Sequence, residues 1–163
     1  MSKLVEAIKL VKIVPFLEEY KIKNYTINDD LTVDVEGDVD IENGGRRGLK
    51  EIPIQFGKVT GVFDCSYNNL ISLKGCPRWV GGSFYCSFNR FTTLEGSPEY
   101  VGGSFSCLGY ELRTLKGCPR EVGGDFSCNY NSDLKSLKGI GHIKGKISSD
   151  FFKGKLEDYK GKL

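Results

Sequence analysis

The chain has 163 residues, and its 23 basic and 21 acidic side chains nearly cancel, leaving a net charge of +2. This length fits a single domain. The small net charge lacks the basic excess that is typical of a nucleic-acid-binding domain. Composition therefore favours one globular unit and argues against nucleic acid as its main partner.

The first predicted element is an amphipathic helix over residues 2–19. Leu4, Ile8 and Val11 follow one another at helical spacing. Charged side chains and Pro15 interrupt the segment, so it is neither a membrane span nor a signal-peptide core. Nothing in it requires export, and we expect a cytoplasmic protein without a membrane association.

A hairpin is predicted next, since apolar residues alternate on both sides of an Asn-Asp-Asp turn at 28–30. We expect the helix and the hairpin together to form an N-terminal cap over residues 1–34. The alternating apolar residues are Tyr25, Ile27, Leu31, Val33 and Val35.

The remainder of the chain repeats every 21 residues, the spacing of a solenoid whose turns bury their apolar sides only against each other. Residues 80–98 show the unit: Val-x-Gly-x-Phe-x-Cys-x-x-Asn, then two leucine-type anchors, Gly and Pro. Phe84 and Cys86 alternate with small or polar residues, which predicts a strand with one buried face. Asn89 is expected to cap the backbone where that strand ends. Four series of residues recur at this spacing, with one extra residue before Leu137: Gly61, Gly82, Gly103, Gly124 and Gly145; Cys65, Cys86, Cys107 and Cys128; Val59, Val80, Val101, Val122 and Ile143; Leu73, Leu94, Leu115 and Leu137.

The repeat resembles the leucine-rich repeat, because the segment from Phe63 to Leu70 follows the second half of its LxxLxLxxNxL core. Its short period resembles the bacterial type. The resemblance implies a leucine-rich-repeat solenoid with a parallel strand ladder and mostly non-helical returns. We expect about six turns over residues 35–149, followed by a C-terminal cap or tail over 150–163.

The block from Asn24 to Ile41, running into the repeats, also resembles uncharacterised small leucine-rich-repeat proteins of tailed bacteriophages. That resemblance implies expression in a bacterial host. It brings no activity and no catalytic residues.

The cysteine series predicts a buried column of thiols one strand spacing apart. That spacing also lies within disulfide range, and cysteine invites a zinc hypothesis. However, the sequence has no CxxC pair, and thiols in a straight column do not provide the tetrahedral ligand arrangement of a zinc site. We expect reduced core thiols and neither a metal nor another cofactor.

The candidate binding residues are side chains that the repeat directs outward. Asp40, Asp64 and Tyr85 are predicted to align on successive turns, and Trp79 and Tyr100 are the second choice. Acidic and aromatic side chains in rows are typical of protein interfaces. The alternative role for the acidic residues is structural, namely protection of a sheet edge by charge.

These patterns predict a non-enzymatic protein-protein interaction module that binds a bacterial host protein, as an inhibitor of a defence or housekeeping function. Two alternatives stay open. One is a nucleic-acid binder that uses the lysine-rich C-terminal end, and the other is a thiol or metal protein that uses the cysteine column.

Overall fold

The computed structural model describes residues 3–42 and 48–159, which form a β-solenoid with a helical N-terminal cap. Residues 1–2 of the predicted cap, 43–47 of the predicted solenoid and 160–163 of the predicted tail lie outside the described residues.

The N-terminal cap begins with helix α1 (Lys3–Ile8), continues through a π-helical turn (Lys9–Ile13) and ends with helix α2 (Val14–Glu19). Ile13, Phe16 and Leu17 are buried in the core, Ile8 packs partly against it, and the Phe16 ring lies 6.5 Å from that of Phe56. Leu4 and Val11 are exposed instead of packing with Ile8. Val11 lies in the π-helical turn, whose spacing is wider than that of an α-helix, so a stripe read at 3.6 residues per turn does not continue to it.

The strands form two seven-stranded sheets rather than the single ladder expected from the repeat. Sheet A contains β1 (Tyr25–Ile27), β2 (Thr32–Val35), β4 (Gln55–Val59), β6 (Trp79–Val80), β8 (Tyr100–Val101), β10 (Glu121–Val122) and β12 (His142–Ile143). Sheet B contains β3 (Val39–Asp40), β5 (Phe63–Asp64), β7 (Phe84–Tyr85), β9 (Phe105–Ser106), β11 (Phe126–Ser127), β13 (Ile147–Ser148) and β14 (Lys153–Gly154).

The predicted hairpin is confirmed: β1 pairs antiparallel with β2, with Tyr25 opposite Val35. Strand β2 also pairs in parallel with β4, so the hairpin leads directly into the solenoid. From there each repeat adds one strand to each sheet in parallel register, as when Val80 pairs with Val101 and Phe84 with Phe105.

The core is a set of columns along the solenoid axis. Successive phenylalanine rings stack at centroid distances of 5.2–5.6 Å from Phe63 to Phe126. Valines from sheet A, leucines from the returns and the cysteine column fill the rest. Each fully buried side chain of this size contributes about 1.5–3 kcal/mol by leaving water. An isolated turn lacks the neighbouring turns on both sides that bury these side chains, so it is not stable.

Glycines form the corner between the two sheets because the backbones approach closely there. A Cβ on Gly103 would lie 2.9 Å from the carbonyl carbon of Gly82 and 2.5 Å from the Ser83 hydroxyl. The amide of Gly103 donates to the Gly82 carbonyl at 2.8 Å, and Gly124 donates to Gly103 in the same way. Packing of one turn on the next, rather than a positive φ, excludes a side chain here.

The repeated asparagine joins two turns as well as capping its own strand. Asn131 is buried, and its amide group donates to the carbonyls of Cys128 in the same turn (3.1 Å) and Cys107 in the preceding turn (3.0 Å). Its Oδ1 accepts the Leu112 amide at 3.1 Å. Asn89 makes the equivalent three hydrogen bonds two repeats earlier.

At the C-terminal end, β14 pairs antiparallel with β13 and covers the last strand of sheet B. A short 3-10 helix (Leu156–Asp158) follows, and Phe152, Leu156 and Tyr159 pack against the core.

Candidate binding surface

Not every outward column of sheet B is available to a partner. The column at the start of the strands uses its side chains to bind the next turn: Asp38 Oδ1 accepts the Val62 amide at 2.7 Å, and Asp125 Oδ1 accepts that of Lys146 at 2.7 Å. The hydroxyl of Ser83 accepts the Ser104 amide at 3.0 Å. These side chains satisfy backbone donors at the corner, which is a structural role.

The side chains of the column at the end of the strands also accept backbone amides of the next turn. Ser66 and Ser87 are buried, and their hydroxyls accept the amides of Ser87 and Leu108 from the following turns. The central column is bonded in part, since Ser106 and Ser148 make side-chain hydrogen bonds within the chain. In its first three strands, no side-chain hydrogen bond to another turn is present among the described residues.

Asp40, Asp64 and Tyr85 lie in this central column and in register, which places all three first-choice residues side by side. Asp40 pairs with Asp64, and Asp64 pairs with Tyr85, on β3, β5 and β7. Asp40 is exposed and the other two are half-buried. Each carboxylate uses Oδ1 to accept a nearby amide, from Glu42 (3.0 Å) or Ser66 (2.8 Å). We call these three residues the acidic row.

The second-choice residues, Trp79 and Tyr100, pair across β6 and β8 of sheet A. Their rings stack with centroids 5.6 Å apart and planes 10° apart. Lys58 places its ammonium 4.7 Å from the centroid of the Trp79 ring. The Trp79 ring also lies over Gly81, where a Cβ would come within 2.8 Å of it.

The acidic row and the Trp79–Tyr100 pair thus belong to different sheets and do not share one row. The outward row that contains the pair continues with Glu121 and His142. Glu121 binds the ammonium of Lys144 at 2.6 Å. Because the Trp79 ring already contacts Tyr100 and Lys58, and Glu121 pairs with Lys144, much of this row makes its contacts within the chain.

The four cysteines of the predicted column are buried as expected, and all six cysteines are free thiols. The Cys86 thiol donates to the Ser106 carbonyl at 3.3 Å. Burial raises the pKa of Cys86 and Cys107 well above the usual range, and it raises the pKa of Cys118 to about 11 and that of Cys128 to about 12. A buried thiol with a raised pKa is a poor nucleophile.

Within the described ranges, no group of three or more His, Cys, Asp or Glu side chains is placed to hold a metal ion. None of the helices in the described residues is long and apolar enough to span a membrane.

Four further aromatic residues form a surface row beyond the end of the sheet B strands, and sequence reasoning did not select them as a site. The rings of Tyr67 and Phe88 stack at 4.8 Å, and Tyr110 lies 6.0 Å from Phe88. The 21-residue repeat does predict that Tyr67, Phe88 and Tyr130 share one column, although they are not among the candidate binding residues. We call Tyr67, Phe88, Tyr110 and Tyr130 the aromatic row.

Comparisons with protein-family models, with curated proteins and with solved structures gave no match to this chain. The case for a function therefore depends on the geometry of its surface.

Proposed function

We propose that this protein is a non-enzymatic protein-binding module and that the acidic row is its main contact surface. The observation that carries the proposal is the register of Asp40, Asp64 and Tyr85 on three neighbouring strands. Like charges directly opposite each other on paired strands destabilise a sheet. A function in recognition accounts for keeping the two carboxylates there.

The shape of the row defines the partner that fits. Two carboxylates and one phenol lie within about 10 Å along the ladder, at the usual spacing of paired strands. A basic patch beside an apolar pocket is complementary to this arrangement, because charge complementarity gives specificity and the ring supplies a buried anchor. The hydrogen-bonded columns on both sides hold the backbone of the row rigid, which lowers the entropy cost of binding.

The resemblance to small phage proteins supports a bacterial protein as the partner. On this proposal the module acts in the cytoplasm of an infected host, where binding blocks a defence or housekeeping protein. The buried thiols do not favour the thiol-protein alternative, since their raised pKa values oppose thiolate chemistry at neutral pH.

Photo-crosslinking tests the proposal directly. Tyr85 is replaced by benzoylphenylalanine, a ring of similar shape, and the protein is irradiated in bacterial cytosol treated with nuclease. We expect one dominant protein adduct. The matched control carries the same group at Tyr25, an exposed aromatic residue of the hairpin. Equal adducts from both positions, or none from position 85, would contradict the proposal.

A further inference from the structure

The two sheets end differently at the C-terminal end of the solenoid. Strand β14 pairs with β13 and covers the edge of sheet B. Strand β12, the last strand of sheet A, pairs only with β10 among the described residues. A cleft of about 490 Å³ opens beside it, lined by residues 142–145 on one side and 155–157 on the other. The edge of β12 is therefore accessible to another strand.

This edge presents backbone acceptors that the other turns use to bind their neighbours. The carbonyls of Val80, Val101 and Val122 each accept an amide of the following turn at 2.8–3.0 Å. The equivalent carbonyl of Ile143, and that of Gly145 at the corner, accept no amide within the described residues. An unpaired edge of this kind is a template for pairing with another strand.

Strand β1, at the opposite edge of sheet A, presents backbone donors. Asn24 accepts and Asn28 donates a main-chain hydrogen bond of 2.9 Å across the hairpin. In an antiparallel pair, hydrogen-bonded residues alternate with residues whose backbone groups face away. Tyr25 and Ile27 therefore direct their amides away from β2, at the same two-residue spacing as the unpaired carbonyls on the edge of β12.

The two edges of sheet A carry opposite charge. The hairpin over residues 24–36 has four acidic and no basic side chains, whereas residues 138–146 around β12 have three lysines and no acidic side chain. Like ends of two molecules would bring charges of the same sign together, and unlike ends attract each other. The charged residues are Asp29, Asp30, Asp34 and Glu36 at one end and Lys138, Lys144 and Lys146 at the other.

We propose that β12 of one molecule pairs antiparallel with β1 of a second copy, so that sheet A continues from one molecule into the next. Copies stacked in the same direction along the solenoid axis bring these edges together, because they are the first and last strands of one sheet. With Ile143 opposite Ile27, the amides of Ile27 and Tyr25 donate to the carbonyls of Ile143 and Gly145. A contact between opposite ends is heterologous, so it builds chains or rings rather than a two-fold dimer.

This contact is small and therefore weak. Strands β12 and β1 contain two and three residues, so the pairing buries less than the roughly 800 Å² that a stable dimer buries on each side. We expect a dissociation constant of about 0.1–1 mM that rises with salt. At low micromolar concentration the protein is then a monomer. The inference goes beyond the proposed binding function and does not depend on the acidic row.

Sedimentation of the purified protein over a concentration series tests the proposal. We expect the weight-average mass to exceed that of a dimer at about 1 mM and to approach that of a monomer at about 0.01 mM. Addition of about 0.5 M sodium chloride should lower the mass at the higher concentration, because salt screens the attraction between the two ends.

Two charge-reversed variants identify the ends that meet. Asp29→Lys with Glu36→Lys removes the net charge of the hairpin, and Lys138→Glu with Lys146→Glu removes the basic charge around β12. None of these four side chains makes an ion pair within the described residues. Each variant, once shown to fold, is expected to associate at least about tenfold more weakly than the wild type. An equal mixture should form pairs of one copy of each, because the lysine end of the first variant and the acidic end of the second are unchanged.

The matched control is Glu99→Lys with Glu111→Lys, two exposed positions in the middle of the solenoid. It changes the net charge as much as the hairpin variant does and is expected to associate as the wild type. The inference would be overturned by a wild-type protein that is a monomer at about 1 mM or whose mass stops at two copies. A mixture no heavier than its separate components, or an equal loss in the control, would also overturn it.

Discussion

Asp40 and Asp64 lie directly opposite each other on neighbouring parallel strands, so that two carboxylates share one outward row. Asp38 and Asp125, elsewhere on the same sheet, accept amides from the next turn and thereby stabilise the solenoid. Asp40 and Asp64 each accept an amide only two residues along their own chain. Their alignment is therefore not explained by contacts between turns.

The first prediction follows from the repulsion between the aligned carboxylates of Asp40 and Asp64. The double variant Asp40→Asn, Asp64→Asn keeps both Oδ1 acceptors and removes both charges. We expect the free energy of unfolding to be unchanged or raised by up to about 1 kcal/mol. Urea denaturation followed by circular dichroism measures it. A loss of more than about 1 kcal/mol would assign the carboxylates a role in folding instead.

The second prediction concerns the glycine corner. Gly103→Val is expected to destabilise the protein by more than about 1 kcal/mol, because its side chain would enter the backbone of the preceding turn. Gly109→Ala is the matched control, since its Cβ meets no atom closer than 3.7 Å. Thermal melts of the two variants should differ clearly, and equal melting temperatures would refute the corner packing.

The third prediction tests the asparagine between turns. Asn131→Ala leaves the Leu112 amide and two carbonyls without their partners in a buried site. We expect a loss of about 1–3 kcal/mol, as for other buried groups left unsatisfied. Hydrogen exchange at Leu112 should accelerate more than exchange at Leu70, which bonds to Asn89 and is the internal reference. Equal acceleration at both amides would mean that Asn131 acts only through global stability.

The fourth prediction is a pH dependence. Burial raises the pKa of Cys128 to about 12, whereas an unfolded thiol titrates near pH 8.5. The folded state therefore retains a proton that the unfolded state has lost. The contribution to stability is complete below about pH 8.5 and is lost as pH rises toward the folded pKa. Cys128→Ala should lose less stability on alkaline titration than the wild type, by up to about 1.4 kcal/mol per pH unit. Parallel titration curves would contradict the assignment.

Much of the fold could be predicted because each repeat supplies the same evidence again. The inward direction of Phe84 and Cys86 follows from period-2 alternation, and the burial of both is confirmed. Strands β6, β8, β10 and β12 of sheet A escaped prediction because each contains a single buried residue, such as Val80, and alternation needs at least two. The reach of Asn131 into the preceding turn is a relation between repeats, which a pattern within one repeat does not display.

The candidate site was predictable in its alignment but not in its boundaries. The 21-residue step places Asp40, Asp64 and Tyr85 in one column, as the structure has them. It does not reveal that the serine column beside them is bonded to backbone amides. The step places Trp79 in a different column from the acidic row but does not show that this column belongs to a second sheet. The corner between the sheets is made by backbone contacts that the sequence marks only as repeated glycines.

The central claim is that binding takes place through the acidic row, and affinity for the crosslinked partner tests it most directly. The triple variant Asp40→Asn, Asp64→Asn, Tyr85→Ala is compared with Trp79→Ala, Tyr100→Ala on sheet A by calorimetry, after both are shown to fold. We expect the triple variant to bind at least about tenfold more weakly, a loss of about 1.4 kcal/mol, and the sheet A variant to bind as the wild type. Undiminished binding by the triple variant, or a loss confined to the sheet A variant, would contradict the account.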